Sequence, residues 1–208
     1  MEVKRRTQAE RTAATRAALV AAARPLFAAR GYAAVGTPEI VRAAGVTRGA
    51  MYHQFADKAA LFGAVAEAVE AGVTQRLVAA VGAAGAGDPL SALHVAIDAW
   101  FDACEEPEVR RVLLLDAPVV LGWEGLRDLA QQYGLGLTEQ LLGAAIEAGQ
   151  LPALPVRPFA HVLLGALQEA AFVVTDDPGA RADAARVLHA LVDGLSAASV
   201  DPGAERDV

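Results

Sequence analysis

Apolar residues recur at intervals of three and four along almost the whole chain, and this spacing limits the possible folds more than any other sequence feature. Leu61, Val65, Val69 and Val73, for example, fall on one face of a helix. Strand-like alternation is scarce, while alanine and leucine are abundant. The sequence therefore predicts an all-α protein and disfavours enzymes built on a parallel sheet.

Charge is distributed unevenly along the chain. The 208 residues carry a net charge of -7, yet residues 1–58 hold ten cations and four anions, a local net charge of +6. The remaining 150 residues sum to -13. A basic head on an acidic body indicates a polyanionic partner, and chance clustering of cations on solvated faces is the alternative.

Several features bear on the cellular location. The longest stretches without Asp, Glu, Lys or Arg, 77–87 and 158–168, are 11 residues each, whereas a helix needs about 20 to span a bilayer. The apolar stretch near the N-terminus is interrupted, unlike a signal-peptide core. Cys104 is the single cysteine, so no internal disulfide can form. We expect a cytoplasmic protein without membrane association.

Capping residues, prolines and glycines divide the chain into about nine helices. Thr37, Thr47, Asp57 and Asp88 are the expected N-caps, and Gly31 is expected to end the first helix. The expected ranges are about 10–29, 37–44, 47–55, 57–82, 89–104, 107–118, 123–149, 159–175 and 179–198, followed by a frayed tail at 201–208.

The second and third helices are about two turns each, so they need packing against their neighbours. The small residues of the joint "RAAGVT" let two helices meet steeply, as in a helix-turn-helix. Met51 and Phe55 are expected to face inward. The opposite face then presents Thr47, Arg48, Gly49, Tyr52 and His53, with Lys58 nearby. Alternatively, Tyr52 and His53 are surface aromatics at an intramolecular packing edge.

Residues 31–62, "GYAAVGTPEIVRAAGVTRGAMYHQFADKAALF", resemble the DNA-binding domain of the TetR family of bacterial transcriptional regulators. The segments "LLLDAPVVLGW" and "YGLGLTEQLL" are similar to a subgroup of that family's C-terminal domain. The resemblance implies a three-helix helix-turn-helix domain at 1–58 and a larger helical ligand-binding and dimerisation domain at 59–208. The fourth helix, about 57–82, would connect them.

The resemblance also implies roles for individual residues, because in this family the third helix enters the major groove. Thr47, Arg48 and Gly49 would approach bases or phosphates, and Arg48 suits guanine, whose O6 and N7 a guanidinium can span. Tyr52 and His53 would contact the backbone or thymine methyl groups.

Further cations and one hydroxyl are assigned to the DNA backbone by the same resemblance. Lys58 and Thr37 would bind phosphate. An N-terminal group forms either a minor-groove or phosphate arm or a solvated leader. That group is Lys4, Arg5, Arg6 and Arg11.

The fifth helix carries unusually bulky residues, which can line a cavity for a small apolar or amphipathic effector. The alternative is that they fill an ordinary core. The candidates on the fifth helix are His94, Trp100, Phe101 and Cys104, and those on neighbouring helices are Trp123, Tyr133, His161, Gln168 and Phe172. His94 and Asp98 are four residues apart but lack a third ligand, so we expect neither a metal nor a cofactor.

The eighth helix, "FAHVLLGALQEAAFVV", is apolar on nearly every side and so indicates a partner outside a small domain. A homodimer on a palindromic operator is what the resemblance implies, and a fully intramolecular core is the alternative. The expected interface residues are Leu164, Leu167, Ala171, Leu188, Leu191, Val192 and Leu195.

These features favour a ligand-responsive repressor that an inducer releases from its operator. The motifs HExxH and GxSxG and a glycine-rich phosphate loop are absent from the sequence, so we do not expect an enzyme. Two alternatives stay open: a helical adaptor whose basic head binds an acidic protein, and an all-helical enzyme using His94, His161 or Cys104.

Overall fold

The computed structural model describes residues 7–85 and 87–200, which form helices and no strands. The prediction of an all-α fold is confirmed. The predicted arm at Lys4, Arg5 and Arg6 and the predicted frayed tail lie outside the described residues. The helices are α1 (Gln8–Ala34), α2 (Thr37–Ala44), α3 (Arg48–Gln54), α4 (Lys58–Ala84), α5 (Pro89–Glu105), α6 (Pro107–Val109), a π-helical segment (Arg110–Asp116), α7 (Ala117–Val120), α8 (Gly122–Glu147), α9 (Val156–Asp176), a 3-10 turn (Pro178–Ala180) and α10 (Arg181–Val200).

The chain divides into two compact units. The first unit contains the chain up to Val69 together with Pro107–Leu126, and the second contains Glu70–Glu106 and the chain from Arg127 onward. In the first unit, α2 and α3 both pack against α1. Its fully buried side chains include Leu19, Phe27, Ile40, Met51 and Phe62.

Local capping sets the ends of the short helices of the first unit. The Thr47 hydroxyl accepts a hydrogen bond from the Ala50 N–H at 3.1 Å, and Asp57 Oδ1 accepts one from the Ala60 N–H at 2.7 Å, as their N-cap assignments require. Gly45 adopts φ 65° and ends α2.

The predicted N-cap of α2 is wrong by one residue. Gly36 occupies the N-cap without a side-chain hydrogen bond, and Thr37 is the first helical residue. Pro38 then lies at the second helical position, where its missing N–H would lack an intrahelical partner in any case. The Thr37 hydroxyl is therefore not used as a cap.

The segment 107–126 belongs to the first unit through specific contacts with α1. Arg24 Nε and Nη2 donate to Glu108 Oε1 and Oε2 at 2.8 and 2.6 Å. The Tyr32 N–H donates to Asp116 Oδ2 at 2.7 Å. The boundary that the sequence suggested near residue 58 stays a prediction, but these contacts group a later segment with the first helix.

Gly31 has a backbone conformation that requires glycine. Its φ is 77° and its ψ 165°, a region that is essentially limited to glycine, and it interrupts the helical geometry of α1. A Cβ there would lie 1.8 Å from Arg111 Nη2, so the missing side chain also provides space for the guanidinium. The predicted helix stop is thus a kink, and one further turn follows.

In the second unit, α5, α9 and α10 pack together. The Asp88 side chain caps α5 by accepting from the Ser91 N–H at 2.9 Å, as predicted. Hydrogen bonds from Ser91, and a further one from Gln150, lower the pKa of Asp88. The core of this unit includes Leu93, Ile97, Phe101, Leu142, Leu163, Leu188 and Val192.

In the described part of the chain, α9 is the one helix long and apolar enough to cross a membrane by length and composition. About one fifth of its most apolar stretch is buried. Since α9 packs against α5 and α10, it also fits the role of a packing helix with one uncovered face.

Candidate nucleic-acid interface

The two faces of α3 differ sharply in burial. Met51 and Phe55 are buried, with exposed fractions of 0% and 3%. The other face is exposed and consists of Thr47, Arg48, Gly49, Tyr52 and His53. The packing of Met51 and Phe55 therefore fixes α3 on the first unit while its polar and aromatic side chains point to solvent.

Arg48, Tyr52 and Thr37 form a polar cluster on this exposed surface. The Arg48 guanidinium carbon lies 5.5 Å from the centroid of the Tyr52 ring. Hydrogen bonding by the Arg48 side chain, and then by the Thr37 side chain, lowers the pKa of the Tyr52 phenol. The cluster joins the start of α2 to α3, which brings together three residues that the sequence assigned to DNA.

Gly49 leaves open space beside this cluster. A Cβ at Gly49 would meet nothing closer than Thr47 Oγ1 at 3.9 Å. Because its φ is not positive, the glycine is not required by backbone conformation. A partner could approach the backbone of α3 closely here.

Lys58 is engaged inside the first unit. Its Nζ donates to the carbonyl oxygens of Tyr32 and Val35 at 2.9 and 3.1 Å and lies 3.9 Å from the Tyr32 ring centroid. An ammonium has three donors, so these two carbonyl oxygens do not use all of them. Lys58 therefore closes the end of α1, a role that sequence reasoning missed.

Two other cations of the first unit also have structural partners. The Arg16 guanidinium carbon lies 4.4 Å from the centroid of the Phe55 ring, and Arg30 forms an ion pair with Glu39 at 2.5 Å. Nothing in the local sequence identified these pairs. They show that part of the positive charge of the first unit supports its packing.

Comparison with known proteins decides the family. The family model described as "Bacterial regulatory proteins, tetR family" matches residues 19–65, and "Tetracyclin repressor-like, C-terminal domain" matches residues 90–195. The chain belongs to the TetR family. It is a DNA-binding transcriptional regulator, and ligand-responsive repression is the standard role in this family.

Two individual relatives support the assignment. The chain is 33% identical over 159 residues to the transcriptional regulator AcrR of Shigella flexneri, covering 73% of this chain and 74% of AcrR. It is 29% identical over 150 residues to the Tn10 TetC protein of Escherichia coli, covering 70% and 73% of the two chains. The matched regions exceed the helix-turn-helix in both cases.

Solved structures extend the similarity over nearly the whole fold. A TetR-family regulator from Pectobacterium atrosepticum has a TM-score of 0.78 and 33% identity, with 91% of this chain and 97% of that chain covered. RolR in complex with resorcinol has a TM-score of 0.76 and 20% identity, with 96% and 97% covered. The second similarity shows the fold alone.

The candidates for effector binding lie in different environments. Phe101 and Cys104 are buried in the second unit, and the Trp100 Nε1–H donates to the Leu167 carbonyl oxygen at 3.3 Å. His94 contacts His189. Trp123 belongs to the first unit and is 68% exposed. The remaining candidates are intermediate in exposure: Tyr133, His161, Gln168 and Phe172.

The predicted interface residues also divide by burial. Ala171, Leu188 and Val192 lie in the core of this protomer, with exposed fractions of 0 to 3%. Leu191 is 57% exposed. Leu164, Leu167 and Leu195 are half-buried.

Glu70 is a buried acid that the sequence interpretation did not single out. It is 8% exposed, and burial raises the pKa of its carboxyl to about 7. Glu70 follows Ala66 by four residues and Val69 by one, so helical periodicity places it on the buried side of α4. This spacing is a signal by which the sequence could have identified Glu70 as a buried acid.

Burial, and then the charges of Glu70 and Glu105, raise the pKa of the Cys104 thiol far above its usual value. Cys104 is therefore expected to be an unreactive thiol.

A metal site is not evident in the described ranges, 7–85 and 87–200. They contain no group of three or more His, Cys, Asp or Glu side chains arranged to hold a metal ion.

Proposed function

We propose that this TetR-family protein is a repressor that binds a palindromic operator as a homodimer, with α3 in the major groove, and that a small amphipathic effector releases it. The main support is the exposed face of α3, where Arg48 and Tyr52 are held together beside Thr37. An operator-binding regulator acts on the chromosome, so we also infer a cytoplasmic location.

The proposed DNA contacts divide into two kinds. Arg48 is assigned to a guanine edge, because it is the one guanidinium on the exposed face of α3. Thr47, Gly49, Tyr52 and His53 are assigned to bases or the adjacent backbone. Thr37 and the remaining donor of Lys58 are assigned to phosphates, contacts that position the protein without reading sequence.

The proposed dimer interface uses α9 and α10. Val162 and Val173 of α9 are 71% and 46% exposed, and Val187 and Leu191 of α10 are 58% and 57% exposed. Exposed apolar residues on two packed helices suit an isologous interface with a second copy. The proposal keeps Leu191 and the half-buried Leu164, Leu167 and Leu195. It leaves Ala171, Leu188 and Val192 to the core of each protomer.

The proposed effector site lies in the second unit and uses aromatic and polar side chains of intermediate exposure on α5, α8 and α9. They are Trp100, Tyr133, Gln168 and Phe172. Helix α4 contributes residues to both compact units, so we assign to it the coupling between effector and operator. Effector binding would change operator affinity if it shifts α4.

The deciding experiment measures sequence-selective DNA binding. A high-affinity duplex is first selected from a random library, and its affinity is compared with that of a scrambled duplex at several salt concentrations. Arg48→Ala should weaken operator binding by about 1 to 3 kcal/mol, which is about fivefold to 150-fold, and should reduce discrimination against the scrambled duplex. Arg186→Ala, which removes an exposed cation of α10, is the matched control and should leave the discrimination unchanged.

Two results would change the conclusion. If Arg48→Ala weakens both duplexes equally, Arg48 contacts phosphate and another residue reads the sequence. If library selection enriches no duplex while an acidic protein binds the basic surface, the adaptor alternative is favoured over an operator-binding repressor.

A further inference from the structure

Two histidines connect α5 to α10 in the second unit. His94 Nδ1 and His189 Nδ1 are 2.6 Å apart. The other nitrogen of each ring contacts a carboxylate on the opposite helix: His94 Nε2 lies 2.9 Å from Asp193 Oδ1, and His189 Nε2 lies 2.9 Å from Asp98 Oδ1. We call His94 and His189 the imidazole pair.

The two rings meet nearly head-on. Their centroids are 4.8 Å apart, which is close to the nitrogen separation plus the two distances from a ring centre to its nitrogen. The Nδ1 atoms therefore direct their lone pairs or hydrogens at each other. This arrangement suits a hydrogen bond along the line between them.

The contacts determine how many protons the imidazole pair holds. A carboxylate only accepts, so each Nε2 carries a hydrogen and donates it to Asp193 or Asp98. Two facing lone pairs, or two facing N–H groups, would repel at 2.6 Å, so one proton lies between the two Nδ1 atoms. The pair then consists of one imidazolium and one neutral imidazole.

A bridging metal ion does not fit this geometry. Zinc binds imidazole nitrogen at about 2.0 to 2.1 Å, which places two nitrogens on one tetrahedral ion more than about 3 Å apart. The observed separation of 2.6 Å is too short. The species shared by the two Nδ1 atoms is therefore a proton and not a metal ion.

We propose that the imidazole pair is a one-proton latch, which joins α5 to α10 only while the two rings share a single proton. Uptake of a second proton from solvent places two N–H groups face to face and opens the latch. Loss of the shared proton to solvent leaves two facing lone pairs and also opens it.

In the described part of the chain, two carboxylates are the charged groups that contact the imidazole pair. Asp98 and Asp193 are the charged partners of the pair on α5 and α10. Farther along the same two helices, Arg181 pairs with Asp102 and Glu105. Helix α9 packs on both α5 and α10, yet within the described residues its ionisable side chains form no hydrogen bond or ion pair with either imidazole. Those side chains are Arg157, His161, Glu169 and Asp176.

The latch gives a distinctive dependence on pH. A single titrating histidine changes stability in one direction, whereas a proton shared between two rings contributes only between two titration steps. The coupling between His94 and His189 is therefore expected to pass through a maximum as pH rises. This expectation depends on neither operator binding nor an effector.

A double-mutant cycle tests the proposal in the full-length protein. His94→Gln, His189→Gln and the double variant are unfolded in urea from about pH 5 to about pH 9 at one protein concentration. Near the maximum, each single change should raise the unfolding equilibrium constant about tenfold, and the coupling should vanish at both ends of the range. His161→Gln, which removes a histidine outside the pair, should retain the maximum.

Nitrogen-15 NMR of the unmodified protein provides a test that does not depend on the folding of the variants. A scalar coupling between the two Nδ1 nuclei is expected near the stability maximum and should disappear on either side. Absence of this coupling at every pH overturns the proposal. So does a coupling energy that changes in one direction only, or a zinc-dependent rise in the wild-type urea midpoint that replaces the pH effect.

Discussion

The two compact units differ in how far apart in sequence their functional polar groups lie. In the first unit, Thr37, Arg48 and Tyr52 come from one short stretch of chain and meet on one surface. In the second, His94 and His189 are 95 residues apart. A site made by consecutive short helices is therefore visible as a motif, whereas a site made by packed long helices depends on how those helices are paired.

Within the described residues, the first unit also contains contacts between residues that are distant in sequence, but none of them involves the exposed residues Thr37, Arg48 and Tyr52. Arg24 and Glu108 are 84 residues apart, and so are Tyr32 and Asp116. They connect α1 to the segment 107–126, whereas the exposed face of α3 is held by local packing. The comparison predicts that breaking these contacts lowers stability more than it alters the chemistry of the exposed surface.

The largest expected effect in the first unit is at Gly31. Gly31→Ala should lower the free energy of unfolding by about 3 kcal/mol, because an L residue is strained at this φ and ψ and its Cβ would displace the Arg111 guanidinium. Urea unfolding followed by circular dichroism measures the loss. Gly45→Ala is the control, since its Cβ would meet nothing within 4 Å, and it should cost about 1 to 2 kcal/mol from backbone strain alone. Equal losses would show that the space for Arg111 has no energetic role.

The two units also differ in the polar side chains that they bury. In the described part of the chain, the buried polar side chains all lie in the second unit, and they are Glu70, Thr138 and Thr175. The pKa of Glu70 is raised from 4.5 to about 7, so the folded state keeps a proton that the unfolded state has released. The free energy of unfolding should therefore fall as pH rises from about 4.5 through 7, by up to about 3 kcal/mol.

Glu70→Gln tests this dependence. The amide carries no titrating proton, so the stability advantage of the variant over the wild type should grow between pH 5 and pH 8, as measured by urea midpoints. Glu67→Gln, an exposed acid on the same helix, is the matched control and should show no such growth. A constant difference between Glu70→Gln and the wild type would contradict a buried, protonated Glu70.

A smaller effect is expected for the ion pair between Arg24 and Glu108. Two hydrogen bonds link the side chains, which are about one third exposed, so solvent screening limits their coupling to about 1 kcal/mol. A double-mutant cycle with Arg24→Gln and Glu108→Gln measures it. The coupling should fall at high salt. Zero coupling would mean that other contacts, such as the hydrogen bond from the Tyr32 N–H to Asp116, hold the segment 107–126 in the first unit.

Much of the fold was predictable from local sequence. Thr47, Asp57 and Asp88 were identified as caps because each cap is a local interaction. The side-chain oxygen accepts from an N–H three residues later, and this contact does not depend on tertiary packing. The N-cap of α2 was misplaced because Thr37 has the usual capping chemistry, while Gly36 caps without a side chain. The break expected at Pro118 lies at Gly122, with φ 72°, because Pro118 fits into the first turn of α7.

The exposed candidates on α3 were predictable for the same reason. Once Met51 and Phe55 are assigned to the buried face, helical geometry places Arg48 and Tyr52 on the other. Lys58 shows the limit of this reasoning, because nothing local indicates that its ammonium would be used by the carbonyl oxygens of Tyr32 and Val35. The sequence identified Lys58 as a cation next to α3. Packing determined that two hydrogen bonds of its ammonium go to backbone carbonyl oxygens of the same unit.

By itself, the sequence determined the all-α fold, the caps at Thr47, Asp57 and Asp88, the helix-turn-helix and the side chains that α3 exposes, because each depends on atoms within a few residues of one another. The tertiary structure decided that α1 holds the segment 107–126, that Glu70 is buried, and that His94 meets His189. These contacts depend on the pairing and rotation of whole helices. Many combinations of apolar faces satisfy the same periodicity, and only packing of the complete chain selects one.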